Sequence, residues 1–523
     1  MLPWSTALLS MAQMLLVAVW IVEGVAKKDR GVRWQAAFGR APLLVLIGFL
    51  ALHVIGLAWT SSEGMEWGIS LLRILLPVLV FGVVLSGSPR LSIKQYRFIL
   101  LIGAWSVIAS TIVSYFVKGG GSDYRELSMF ISHIRLALLL CMSIAVFLWF
   151  FRGSFLWRIA HSAAVLWSLY FIDLLGSIQA IIILLVVGAV MLWRRSKKRK
   201  PGERFLFRSL AVLPFILVVG WIAFQLNDRY SKVQTDFSEL PKFSAGGEAY
   251  VHMPEERQRE HGELVWTRIA WAEVHRTWPR RSSIPLDSLD GEGHMIYPTL
   301  FRYLTSLGLP KDSAGIMALS DRDVQRIEAG VPNAHRGERL GVQDRFNEVM
   351  FEIDRYRNDG VVSGHSVTMR LEFWRTGLSI LRNNMLFGVG TGDTQIAFDR
   401  EYERLESRLA PEWRHRAHNQ YLTWAISFGI PGALVAIFCL WWPASRNKAW
   451  RDPLFVAWTA IIAIASLTDD TVETQAGATF FALYYTLFVF ASPITGNDQA
   501  FRSIGNDRRS TREPQLSSPE EAR

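Results

Sequence analysis

The sequence predicts an all-α, polytopic membrane helix bundle with a large, mostly helical extracytoplasmic loop domain. Half of the 523 residues are hydrophobic. Apolar runs of about 18 to 22 residues recur from residue 3 to 226 and again from 419 to 495, each long enough to cross a hydrocarbon core of roughly 30 Å. Cations gather in alternate short loops, the pattern that orients helices in a bilayer.

Taken in order, spans are expected near 3–25, 41–59, 67–86, 96–117, 132–150, 157–174, 176–193, 206–226, 419–442, 453–468 and 477–495. These eleven divide the chain into an N-terminal membrane domain (1–226, about eight spans), an extracytoplasmic loop domain (227–417) and C-terminal membrane helices (418–495). A polar tail, 496–523, rich in Ser, Arg and Glu, is expected to be disordered and cytoplasmic. The division between the sixth and seventh spans rests on Leu174-Leu175-Gly176-Ser177; one continuous helix there would invert everything before it.

One set of loops holds Lys27, Lys28, Arg30, Arg33 and Arg40, then Arg90, Lys94 and Arg97, then Arg152 and Arg158, then Arg194, Arg195, Lys197, Lys198, Arg199, Lys200, Arg204 and Arg208, and finally Arg446, Lys448 and Arg451. The opposite short loops hold only Lys118 and Arg125. The first set is therefore cytoplasmic, and 227–417 faces outside together with Asp469-Asp470-Thr471-Val472-Glu473. The N-terminus then lies outside as well, or a twelfth span precedes the first. The net charge of +10 is explained by these loops without invoking nucleic acid. Cys141 and Cys439 lie inside apolar runs, which argues against a disulfide or a metal site.

The long loop is not low-complexity. Ser320-Asp321-Arg322-Asp323 reads as a capping box, Gly330 before Pro332 as a stop, and Thr299 as the cap of a helix through Leu307 that ends at Gly308. Trp266, Trp271 and Trp278 supply aromatic bulk for a core. Glu263 and Glu273 in this Trp-rich stretch are weaker candidates for contacts to an acceptor sugar, with the aromatics as stacking platforms.

The chemistry gathers between 366 and 432. An amphipathic helix from Ser366 to about Arg382 puts Arg370 and Trp374 on one face. Gly388-Val389-Gly390-Thr391-Gly392-Asp393 follows, either a tight turn or a cradle whose backbone amides meet an anion. Then comes Arg414-His415-Arg416-Ala417-His418-Asn419 at the start of a membrane helix. An imidazole between cations and a helix start is held neutral, so His418 is the candidate base.

These residues resemble the O-antigen ligase and polymerase family of bacterial membrane glycosyltransferases, in a Bacteroidetes-type branch with an enlarged external loop. The match is His418-Asn419, nine residues, then Gly429-Ile430-Pro431-Gly432, preceded by the Arg370, Trp374 and Gly-x-Gly-x-Gly elements. The resemblance implies transfer of a glycan from undecaprenyl diphosphate to a lipid A-core sugar hydroxyl at the periplasmic face of the inner membrane. It implies an inverting reaction that uses no metal or other cofactor; the alternative is a polymerase that extends a lipid-linked repeat.

On this reading His418 and Asn419 are catalytic, and Arg370, Arg135, Arg416 and Arg414 bind the lipid diphosphate. Trp374, Gly390, Gly392 and Asp393 are weaker substrate contacts. One position departs from the family: its second arginine, in a Ser-Arg element, is replaced here by Gly176-Ser177-Ile178-Gln179, and Arg135 in Ser132-His133-Ile134-Arg135 is the substitute. Two other classes compete. A transporter would carry its ionisable groups at mid-membrane on broken, repeated helices, and a non-catalytic scaffold would need neither His418 nor Arg370.

Overall fold

The computed structural model describes residues 3–118, 127–151, 153–197, 199–231, 237–256, 258–260, 262–335, 341–360, 362–364 and 366–495. Arg125 and the 496–523 tail lie outside the described residues. In chain order the helices are α1 (Thr6–Ala26), α2 (Arg30–Phe38), α3 (Ala41–Gly56), α4 (Met65–Ser86), α5 (Ile93–Lys118), α6 (His133–Trp149), α7 (Phe155–Leu174), α8 (Ile178–Ser196) and α9 (Pro201–Ser231). Then come α10 (Trp271–Thr277), α11 (Ile296–Ser306), α12 (Ser313–Met317), α13 (Asp321–Glu328), α14 (Gly341–Asp359), α15 (Ser366–Asn383) and α16 (Thr394–Arg404). The last three are α17 (Gln420–Arg446), α18 (Pro453–Ala465) and α19 (Gln475–Thr486). Two short strands, β1 (Arg259–Glu260) and β2 (Glu263–Leu264), pair antiparallel.

The protein is a polytopic helical membrane protein. Among the described residues, eight helices are long and apolar enough to cross a membrane: α1, α3, α4, α5, α7, α8, α9 and α17. Three more, α6, α18 and α19 with its continuation to Ala491, are apolar but shorter. Together these fall on the eleven expected spans. The break between α7 and α8 is real: Gly176 takes φ +56, a left-handed conformation that costs glycine little and ends the first helix. By contrast, α2 lies in a stretch that reads as a charged loop. Its Arg33 is buried between Glu23 (3.2 Å) and Asp29 (2.8 Å), and Trp34 stacks on Phe38 at 5.4 Å.

The chain forms two compact units. The first comprises the described residues of 1–194, 372–407 and 414–523. Its centre is α6, buried continuously from Leu136 to Phe147, as expected of a helix apolar all round. Helices α5, α7 and α18 pack around α6, while α17 packs on α3 and α19 on α4.

The second unit comprises the described residues of 195–371 and 408–413. Trp278, Ile296, Leu300, Phe301, Tyr303, Ile316 and Ile327 form its core. The Ser320–Asp323 capping box is present in both directions, and Gly308 and Gly330 end their helices at φ +72 and +85. Thr299 is not a cap, because α11 starts earlier, at Ile296, and the Thr299 hydroxyl instead donates to Asp290 Oδ2 (2.7 Å). The aromatics expected as sugar platforms are spent on packing: Trp266 and Trp271 meet Phe301 at 5.7 and 5.2 Å. Glu273 is buried, accepting from the Ser244 hydroxyl and from the Ser313 N–H (2.9 Å), which fixes the start of α12.

Candidate active site

The first unit builds its site on a deliberate break in α17. Gly429 takes φ 70, ψ 175 inside the helix, a region that only glycine enters readily. Pro431 has no N–H to offer the carbonyl of Ser427, four residues back. The Ile430 N–H turns away to the carbonyl of Met385 (2.8 Å), so the carbonyl of Ile426 is released too. These two carbonyls accept instead from Val389 N–H (2.8 Å) and Gly390 N–H (2.9 Å). The Gly-x-x-Gly element is thus the socket for the glycine-rich turn.

That turn is fully engaged. Gly388 N–H donates to the Asn384 carbonyl, Thr391 N–H to the Gly56 carbonyl and Gly392 N–H to the Thr60 hydroxyl. Asp393 accepts from the Ser61 N–H and hydroxyl, both at 2.8 Å, tying the turn to the α3–α4 connection. A Cβ on Gly392 would meet the Gly64 carbonyl oxygen at 2.1 Å. Of the two readings of this stretch, the hydrogen bonds describe the tight turn: the amides of residues 388–392 donate within the protein, and Gly390, Gly392 and Asp393 hold the turn in place.

The segment before α17 is strapped along its carbonyls. Gln395 Nε2 donates to the Arg414 carbonyl (3.3 Å), the Tyr402 hydroxyl to His415 (2.7 Å) and Trp374 Nε1 to Ala417 (3.1 Å). His418 follows at φ +44, left-handed for a residue with a Cβ. Asn419 then caps α17, its Oδ1 accepting from the N–H groups of Tyr421 and Leu422, both at 3.1 Å. Replacing Asn419 by alanine is expected to cost about 1 kcal/mol of stability, read as a lowered thermal midpoint in detergent, with Asn419→Ser restoring most of it.

The first turn of α17 is stitched to the loop between α18 and α19. Gln420 donates to Glu473 (3.2 Å) and accepts from Val472 N–H (3.0 Å), and the Thr423 hydroxyl donates to Asp470 (2.7 Å). Burial first, and then the Glu473 carboxylate, push the Asp470 carboxyl up to about 7. Arg416 pairs with Glu473 and lies over the Trp67 ring at 4.8 Å, and Arg414 lies over Tyr402 at 6.0 Å.

The charge nearest to His418 in the ion pairs is therefore anionic, not cationic as expected. Asp469 Oδ1 stands 3.9 Å from His418 Nδ1, while its Oδ2 pairs with Arg135 Nη2 at 2.7 Å. Phe373 and His415 flank the imidazole, with ring centroids at 5.6 and 6.0 Å. Gln179, at the start of α8, donates to the Thr468 hydroxyl (2.6 Å), next to Asp469. So the structure brings Arg135, Asp469 and His418 into one chain of contacts. Arg370 belongs to the second unit, where its Nη1 donates to the Ser366 carbonyl at 2.6 Å.

Residues 340–437 match a family model described as O-antigen ligase. Over this stretch the chain is similar to the O-antigen ligase family. No curated protein matches the chain. The matched stretch contains Arg370, Trp374, the glycine turn, His418, Asn419 and the α17 break. Asp469 and Arg135 lie beyond it. Sequence reasoning took Asp469 only as part of an external loop; the signal available was a run of three acids in five residues between two apolar spans.

Proposed function

We propose that this membrane protein is an O-antigen ligase-type glycosyltransferase. It moves a glycan from undecaprenyl diphosphate to a sugar hydroxyl of lipid A-core at the periplasmic face of the inner membrane. The observation that carries the reading is His418, fixed in a strained backbone and sharing Asp469 with Arg135. Asp469 on the Nδ1 side favours the tautomer whose Nε2 accepts a proton. As the acceptor oxygen attacks the anomeric carbon, its proton passes to His418, and the bond from that carbon to the diphosphate oxygen breaks with the electron pair leaving on phosphate.

Arginine guanidinium groups grip the departing diphosphate bidentately, and Arg135 and Arg370 take this role. Arg414 and Arg416 contribute positive field while holding the site together, and attack on the face opposite the leaving group inverts the anomeric centre. The test is a reconstituted assay in EDTA with purified protein, lipid-diphosphate glycan and two acceptors, lipid A-core and a second lipid-linked repeat. Transfer to the first is expected. Transfer only to the second would make the protein a polymerase, and no transfer to either would end the proposal. Arg135→Ala and Arg370→Ala are each expected to lower the rate by about 10-fold or more, with Arg135→Lys recovering only part because a point charge cannot chelate two oxygens.

A further inference from the structure

The surroundings of α17 change at its break. No residue from Gln420 to Gly429 is exposed, whereas beyond it exposed apolar side chains recur at Ile430, Leu434, Phe438 and Trp441, spaced as one stripe along the helix. On a membrane helix such a stripe faces lipid. From Ile430 to Arg446 the helix is about 25 Å long, close to the thickness of a hydrocarbon core. Lipid contact along α17 therefore starts at the break and not at the first residue of the helix. His418 stands roughly 15 Å further out.

Against the head of this stripe lies the turn Met385-Leu386-Phe387, between α15 and the glycine turn. The Met385 carbonyl accepts from the Ile430 N–H (2.8 Å), and a Cβ on Gly429 would stand 2.4 Å from the Leu386 carbonyl oxygen. Although its backbone is held this closely, its three side chains are 49, 68 and 74% exposed. Three consecutive large apolar side chains in water would be costly, and a patch of this kind marks a surface that something covers. Val54 and Ile55 extend the patch: both are exposed at the end of α3, next to Gly56, whose carbonyl accepts from the Thr391 N–H (3.2 Å). Just before the turn, Arg382 and Asn383 are exposed and polar.

Irregular backbone is excluded from the hydrocarbon core unless its polar groups are satisfied, which places such a turn at the edge of the core. The carbonyls of Asn384 and Met385 already hold the N–H groups of Gly388 (3.0 Å) and Ile430, and Asn384 Nδ2 donates to the Ile380 carbonyl (2.9 Å). We propose that Met385, Leu386 and Phe387 form a wedge inserted into the leaflet nearer His418, at the boundary between acyl chains and headgroups, with Arg382 and Asn383 in the headgroup layer. Its partner is the acyl region of the bilayer, continuous with the lipid-facing stripe of α17 and the end of α3. The wedge sets the height of the glycine turn, and through α17 that of His418, above the membrane. The proposal rests on the helices crossing a membrane and not on the transferase reading.

Full-length protein carrying Phe387→Cys or Leu386→Cys, each labelled with bimane, would be placed in phosphatidylcholine nanodiscs. Glu403→Cys, exposed on α16, marks water, and Phe438→Cys marks the lipid face of α17. Cys141 and Cys439 are buried, so the wild type is the labelling blank. Quenching by iodide at 386 and 387 is expected to be at least about 5-fold weaker than at 403. A lipid nitroxide near the carbonyl end of the acyl chain should quench both positions more strongly than one near the methyl end, with the order reversed at 438. The proposal is overturned if iodide quenches 386 and 387 as it does 403. It is equally overturned if neither iodide nor either nitroxide reaches them, the result of a protein surface covering the turn. No transfer is measured, so its failure leaves the transferase reading standing.

Discussion

His418→Ala is expected to lower glycan transfer by at least about 100-fold while leaving donor binding in place, the effect of removing a general base. The substitution changes the ring and not the strain, because alanine and histidine both carry a Cβ and both pay for φ +44. The straps on Arg414, His415 and Ala417 come from Gln395, Tyr402 and Trp374, and the cap comes from Asn419, so none of them needs the imidazole. The thermal midpoint should therefore move little while the rate collapses. Initial rates, donor binding and the midpoint, measured on one preparation, separate these effects. Asp469→Asn should give a smaller loss and a changed pH profile, because it alters the tautomer and orientation of the ring without removing it. Normal turnover by His418→Ala would remove the imidazole from the mechanism.

The membrane part was legible because hydropathy acts over whole spans: a run of apolar residues announces a helix whatever it packs against. The α7–α8 break could be read from Gly176 and Ser177 for the same local reason. The second unit's helix ends were legible where a cap and a glycine coincide, as at Ser320 and Gly330. Thr299 misled because a threonine inside a helix and one at its start look alike in sequence; only the position of Asp290 decides which it is.

Much of the candidate site was visible as spacing, since His418, Asn419 and Gly429 lie within one short stretch. Asp469 was not visible as its partner, because 51 positions separate it from His418 and nothing local links them. The glycine turn was ambiguous for a related reason. Whether a backbone amide is free for an anion depends on the carbonyls facing it, and those of Ile426 and Ser427 are released only by a proline and a glycine further along the chain.

Gly429→Ala is expected to destabilise the protein by about 3 kcal/mol or more. A Cβ at this position would stand 2.4 Å from both the carbonyl carbon and the oxygen of Leu386, and the backbone conformation is itself one that alanine avoids. Relaxing to a helical conformation would remove the clash only by returning the Ile430 N–H toward Ile426. That would take back a carbonyl now held by Val389 and loosen the turn that Asp393 ties to Ser61. Gly188→Ala is the control: its helix position meets nothing within 4 Å, so it should be neutral or stabilise by up to about 1 kcal/mol. Thermal midpoints and the monodisperse yield in detergent report the difference. If Gly429→Ala were as stable as Gly188→Ala, the break in α17 would not be what seats the turn. The nine residues of helix between Asn419 and Gly429 would then owe their number to something other than the roughly 14 Å they span.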